Sequence, residues 1–167
     1  MDDLTGSLGE LERGRSFAKG KALFKDVSCI SCHKIGGEGG SLGPDLTEVS
    51  KRLAKQPMPR VALLRELLEP SAVIDEKYRT HIVVLDDGSQ KAGIIVEQDG
   101  KMIKMAVNPA APDERISVPR SRIETLSKSD VSLMPVGLVS TLTREEILDL
   151  LAYVESGGDS KYPAFQK

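Results

Sequence analysis

Residues 28–46 read SCISCHKIGGEGGSLGPDL, and they hold the chain's two cysteines, Cys29 and Cys32, with His33 directly behind them. What this cluster is for decides the fold. Two cysteines are too few for a disulfide framework. A thioredoxin-like dithiol follows a strand in a βαβ unit, but GRSFAKGKALFKDV, from Gly14 to Val27, carries Phe17, Leu23, Phe24 and Val27 at helical spacing. A zinc site needs four ligands, and beyond Cys29, Cys32 and His33 the other histidine is His81, in a stretch that reads as a strand. Two incidental thiols would leave the adjacent histidine unexplained.

A further reading accounts for all three residues. CxxCH is the signature of covalent haem attachment. Two thiols three residues apart on one turn can bond both vinyl groups of a haem, and the next residue then brings its imidazole to the iron from the same side. A five-residue pattern recurs by chance, so the flanks decide among these readings.

Composition narrows the partners. The chain has 167 residues, and its 23 basic and 25 acidic side chains leave a net charge of -2. There is no basic stripe to follow a phosphate backbone, which argues against nucleic acid. No apolar run approaches the ~20 residues of a membrane span. The N-terminus, MDDLTGSLGE, is acidic and polar where a secretion signal is basic and then apolar, so a soluble chain is expected, with any export signal removed or upstream. With no tryptophan, three phenylalanines and three tyrosines, the core must be aliphatic or must lean on something the sequence does not encode.

After the glycine-rich loop, Gly36 to Gly43 closed by Pro44, Thr47 is expected to cap a short helix carrying Val49 and Leu53. Pro57 and Pro59 open another, PRVALLRELLEP, which stops at Pro70. The period then changes. YRTHIVVLDDGSQKAGIIVEQDGKMIKMAV consists of short β-branched runs broken at Asp87-Gly88 and Asp99-Gly100, so a three-stranded meander is expected. Beyond the loop NPAAPDE, the runs Arg115 to Val118 and Arg122 to Leu126 give five strands, enough to close as a small antiparallel barrel of Sm-like kind. Helix returns in LTREEILDLLAYVESGG, where Thr143 and Glu146 make a capping box, Leu142 and Ile147 a hydrophobic staple, and Gly157 a stop. Ile147, Leu150, Leu151 and Val154 form its expected buried stripe. Neither helical part is long enough alone, so the two are expected to pack together around the inserted β unit.

A helix running into CxxCH, a glycine-rich loop ending in Gly43-Pro44-Asp45-Leu46, and a late Met-Pro before a capped helix together resemble a class I cytochrome c. The fuller pattern, GGSLGPDLTEVSKR, LLRELLEPSAVIDEKYRTHIVVLDDG and SLMPVGLVSTLTREEILDLLAY, is similar to the haem-binding domain described from planctomycetes and verrucomicrobia. The resemblance runs from Gly14 to Ser156. It implies a mainly α cytochrome c fold with an inserted β-barrel-like unit, α+β overall. Its core would comprise residues 14–75 and 129–158, with the insert at 76–128.

The same resemblance implies roles for single residues. Cys29 and Cys32 would hold haem c by thioether bonds, and His33 would be the proximal ligand. Pro44 would offer the carbonyl that fixes the histidine tautomer, and Leu46 would pack on the haem face. Gly20, Phe24 and Tyr153 would mark the crossing of the first and last helices, where plain helix packing would produce the same contacts. For the sixth ligand, Met1 is set aside as terminal, and Met102 and Met105 read as core filler on a strand. Met58 and Met134 are each followed by proline. Spacing favours Met58, and the capped helix and the SLMPVGL motif favour Met134, which is preferred; His81 ranks third. Arg52 is a candidate partner for a haem propionate, with a solvated arginine as the plainer alternative. Lys34 and Ile35 are expected near a docking surface.

The function implied is single-electron transfer, with no enzymatic reaction of its own, in a periplasmic or exported protein. The partner would be a redox protein or a fused dehydrogenase domain. The alternative is a catalytic or sensing haem protein with an open or labile sixth site, although no distal histidine-arginine pair points to peroxidase chemistry. A third view makes the β unit a docking module.

Overall fold

The computed structural model describes residues 5–108, 111 and 113–166. Met1 lies outside these, as do positions 109, 110 and 112 of the loop NPAAPDE. The first helix, α1, spans Phe17–Asp26, and its start is set by Ser16, whose hydroxyl accepts from the Lys19 amide. A single turn, α2, spans Cys29–Cys32. The two-residue strands β1 (Lys34–Ile35) and β2 (Glu38–Gly39) then pair as a minute hairpin. Helices α3 (Val49–Leu53) and α4 (Pro59–Leu68) precede the sheet, and α5 (Arg144–Glu155) follows it.

Thr47 does not cap α3. Glu48 occupies that position without a side-chain bond, while the Thr47 hydroxyl donates to Asp45 and accepts from the Gly36 amide. The hydroxyl ties together the two ends of the glycine-rich loop. The expected capping box on α5 is present, and Gly157 follows the helix in the left-handed region at φ 64°.

Helices α1 and α5 cross at Gly20, where an added Cβ would lie 2.3 Å from the Asp149 carbonyl oxygen. Only a glycine lets the backbones come so close. Around this crossing the rings of Phe24 and Tyr153 pack at a tilt, 5.6 Å apart, and Phe17 meets Tyr153 edge-on at 5.4 Å. Buried Leu46, Val49, Leu53, Leu63, Leu64 and Leu151 complete one aliphatic core, joined by Leu8 and Leu11 upstream and Ala164 downstream.

The expected buried stripe on α5 is wider than its apolar pattern. Every residue from Ile147 to Glu155 is buried, Asp149 and Glu155 included. Each acid has a partner from elsewhere in the chain: Asp149 accepts from the Ser16 amide at 3.0 Å, and Glu155 pairs with Arg60 at 2.9 Å. A buried carboxylate is tolerated when it is paired and hydrogen-bonded.

All five expected strands form: β3 (Thr80–Leu85), β4 (Gln90–Gln98), β5 (Met102–Ala106), β6 (Ile116–Pro119) and β7 (Ile123–Lys128). They make one antiparallel sheet in the order β6-β5-β4-β3-β7. The two Asp-Gly turns work through their side chains, Asp87 accepting from the Ser89 amide and Asp99 from those of Lys101 and Met102. Val83, Leu85, Ile103, Met105 and Val118 form a second core on one face. Strands β6 and β7 lie at opposite edges, joined by the short turn Arg120–Arg122. No ladder joins these edges among the described residues, and the structure shows a five-stranded antiparallel sheet without showing barrel closure.

The pairing of β3 with β7 explains how so long an insert is accommodated. It brings the entrance and exit of the β unit together, and the Ser129 amide donates to the Thr80 carbonyl at 2.9 Å. The helical part therefore sees two chain ends one hydrogen bond apart.

Candidate functional site

Helix α1 ends against Ser28, which stands in the left-handed region at φ 64°, alone among the described non-glycine residues. This reversal starts α2, whose single turn carries Cys29 and Cys32 three residues apart and so on one side. Both are free thiols. They face different neighbours: Cys29 belongs to the helical core, while Cys32 packs with Leu42, Ile94, Ala106 and Leu133 in a small cluster between the helical part and the sheet.

Burial pushes the Cys29 thiol up to about 11 and also raises Cys32. Thiols so placed stay protonated at neutral pH, the opposite of a thioredoxin-like nucleophile. Among the described residues, no group of three or more His, Cys, Asp or Glu side chains converges in a way that could hold a metal ion.

His33 is held from two directions. Its Nδ1 lies 3.0 Å from the Pro44 carbonyl oxygen. A carbonyl can only accept, so the proton sits on Nδ1 and the Nε2 lone pair is left available. Gly43 lies against the ring itself, where an added Cβ would fall 2.5 Å from Cε1 and 2.7 Å from Nδ1. The rest of the loop is laid over α2, with the Gly40 amide donating to Ile30 at 2.9 Å and the Gly43 amide to Cys32 at 2.8 Å. Cβ atoms at Gly39 and Gly40 would each come within 2.1 Å of a backbone oxygen of that turn. The glycines of this stretch are thus a packing requirement of the cysteine-histidine turn. Burial lowers the His33 pKa, opposed by the Pro44 hydrogen bond and by the charge of Glu66, which favours the neutral ring that a metal ligand must be.

Leu46 is buried in the helical core with Cys29. Met134 is half-buried, its amide donating to the Ser132 hydroxyl, and its neighbour Leu133 packs in the cluster around Cys32. Met58 is 61% exposed at the start of α4. It lines an open cleft with Thr5, Leu8, Pro59 and Glu155, and neither cysteine nor His33 lines that cleft. Met105 is fully buried in the sheet core, and Met102 is half-buried on the same strand. His81 sits on β3 with Nδ1 3.1 Å from the Arg79 carbonyl. Arg52 is engaged by Glu66 through two hydrogen bonds of 2.8 Å each.

Ile35 corrects an expectation. It is 2% exposed and part of the helical core, on the inward-facing position of the two-residue strand β1. Only its neighbour Lys34 reaches a surface cleft, shared with Ser41, Asp45, Lys77 and Tyr78. Sequence reading also missed the contact of Gly43 with the ring and the cluster that joins Cys32 to Leu133. The density of glycines was the available signal for the first; the second pairs residues far apart in the chain.

Two thiols on one turn and an imidazole with one nitrogen anchored and the other available form a donor set that fits a covalently attached haem. The cytochrome c family model matches residues 17–82, from the start of α1 into β3. The match supports a class I cytochrome c and haem-based electron transfer, and that family implies a covalently bound haem c. No curated protein matches the chain. No helix of the described residues is long and apolar enough to cross a membrane.

Proposed function

We propose that this chain is an electron-transfer module carrying one haem c through thioethers to Cys29 and Cys32, with His33 as proximal ligand and Met134 as sixth. The observation that carries the reading is the His33 Nδ1 contact with Pro44 at 3.0 Å directly behind a one-turn Cys-x-x-Cys. Bound in this way, haem supplies a one-electron iron couple whose potential is raised by a methionine ligand.

The chain's own residues do the rest. Pro44 fixes the His33 tautomer and raises its basicity. Gly43 leaves the room that the ring occupies, where any side chain would collide with it, and the aliphatic residues Leu42, Leu46 and Leu133 keep water from the site. Met134 is favoured over Met58 because its neighbour Leu133 packs on the Leu42, Ile94 and Ala106 cluster on which Cys32 also packs, whereas Met58 lies in a cleft that neither cysteine nor His33 lines. The matched region ends before Met134, so this ligand rests on geometry and on the SLMPVGL motif. Electrons would come from a dehydrogenase partner or fused domain, outside the cytoplasm, where haem is attached to this motif.

Spectra of the haem-loaded protein test the ligand set. Met134→Ala should abolish the long-wavelength methionine-to-iron charge-transfer band while Met58→Ala leaves it intact. The reverse outcome moves the role to Met58, and rapid carbon monoxide binding by the reduced native protein favours an open-site haem protein instead.

A further inference from the structure

We infer that Arg79 is a positioning residue for the sixth ligand, the clamp that carries the chain out of the β unit and into the Met134 segment; this rests on Met134 being that ligand. Arg79 stands immediately before β3, its side chain 19% exposed. Its guanidinium reaches two parts of the chain, residues 74–76 and residues 129–130. Nη1 donates to the Ser129 carbonyl at 3.1 Å, just past the end of β7, and Nη2 to the Ile74 carbonyl at 3.4 Å, in the connection between α4 and β3. Nε donates to Glu76 at 2.8 Å, and Nη1 lies 3.6 Å from Asp130.

One planar fork thus ties the helical part before the insert to the first residue after it. A lysine has one nitrogen and cannot reproduce that geometry.

From Ser129 a chain of single hydrogen bonds leads to the methionine. The Val131 amide donates to the Ser129 hydroxyl at 3.0 Å, the Ser132 amide to the Ser71 hydroxyl at 3.0 Å, and the Met134 amide to the Ser132 hydroxyl at 3.1 Å. Val131 and Val136 on either side are largely exposed, at 67% and 74%, so little apolar packing holds the ends of this segment. Leu133 anchors it on the Leu42, Ile94 and Ala106 cluster that Cys32 shares, Ser71 holds its middle, and Arg79 anchors its start to the chain before the insert. Arg79 acts on the iron only through the placement of Met134.

The test uses haem-loaded protein and compares Arg79→Met, Arg79→Lys, Met134→Ala and, as a control, Arg122→Met. Arg122 makes a comparable surface clamp, to Asp86 and Asp87, on the same β unit. Arg79→Met should lose most of the methionine-to-iron band and bind carbon monoxide about tenfold faster when reduced, the scale of one lost charge-assisted hydrogen bond. Arg79→Lys should fall between it and the native protein, and Arg122→Met should match the native protein. If Arg79→Met does not fold, Arg79→Lys decides: native band and native carbon monoxide rates overturn the inference. If Met134→Ala keeps the band, the ligand assignment fails and the inference with it. If Met134→Ala loses the band and Arg79→Met keeps it, the inference alone fails. If Arg122→Met behaves like Arg79→Met, the effect is general loosening of the β unit, and the inference is again overturned.

Discussion

Replacing Gly43 by alanine puts one methyl group against the ring of His33. The backbone at Gly43 is outside the left-handed region, so conformational strain does not enter and the contact alone is at issue. The new carbon would sit 2.5 Å from Cε1, where non-bonded carbons rest at about 3.5–4.0 Å. Either the ring withdraws by about 1 Å or the loop does, and Pro44 moves with the loop. Both routes lengthen the 3.0 Å contact from Nδ1 to the Pro44 carbonyl past hydrogen-bonding range. An unmade buried hydrogen bond costs about 1–3 kcal/mol and overpacking about as much again, so a loss of about 2–6 kcal/mol is expected. Denaturant unfolding of the haem-loaded protein, followed by circular dichroism, measures it. Weakening the Pro44 bond also lowers the basicity of His33, which should move the reduction potential upward. Gly100→Ala is the control, since nothing lies within 4 Å of its Cβ, and its effect should stay within about 0.5 kcal/mol. A Gly43→Ala protein with native unfolding midpoint and native potential would refute this view of how His33 is held.

Two further outcomes are expected from buried ionisable groups. Arg60→Met leaves Glu155 buried without its cation, and its second carboxylate oxygen already lacks a partner among the described residues, so a loss of about 2–4 kcal/mol is expected. Adding Glu155→Gln should restore most of that stability in the same unfolding assay. The second concerns Cys29 in protein prepared without haem. The folded thiol titrates near 11 against 9.0 for a free one, so above pH 9 the unfolded chain gives up a proton that the fold retains. Stability should therefore fall as pH rises from about 9 to about 11, by about 2–3 kcal/mol in all. Unfolding midpoints across that range measure the fall, which should shrink in Cys29→Ala, where buried Cys32 still contributes, and shrink further in the haem-loaded protein, whose sulfurs carry no proton.

The parts of the fold legible in the sequence are those set by local chemistry. The capping box of Thr143 and Glu146, the Asp-Gly turns and the β-branched runs each act within a few residues, and each forms where its pattern stands. The Cys29–His33 turn is local in the same way. What escaped was non-local. Asp149 and Glu155 stand outside the expected apolar stripe, and their burial could not be read because their partners, Ser16 and Arg60, are remote in sequence. The burial of Ile35, expected near a docking surface, was hidden because a two-residue strand is too short to show periodicity. Thr47 has the chemistry of a helix cap, but the loop it closes competes for the same hydroxyl. Arg79 is one arginine among many until the pairing of β3 with β7 brings Ser129 beside it.

The central claim is that Cys29 and Cys32 carry a haem. Its most direct test is mass spectrometry of protein made in a host that attaches haem to CxxCH, denatured in acid before measurement. The expected result is a chain heavier by one haem, with the modification on the peptide bearing Cys29 and Cys32 and neither sulfur open to alkylation. A colourless protein of unmodified mass, with both thiols reactive once unfolded, would contradict it.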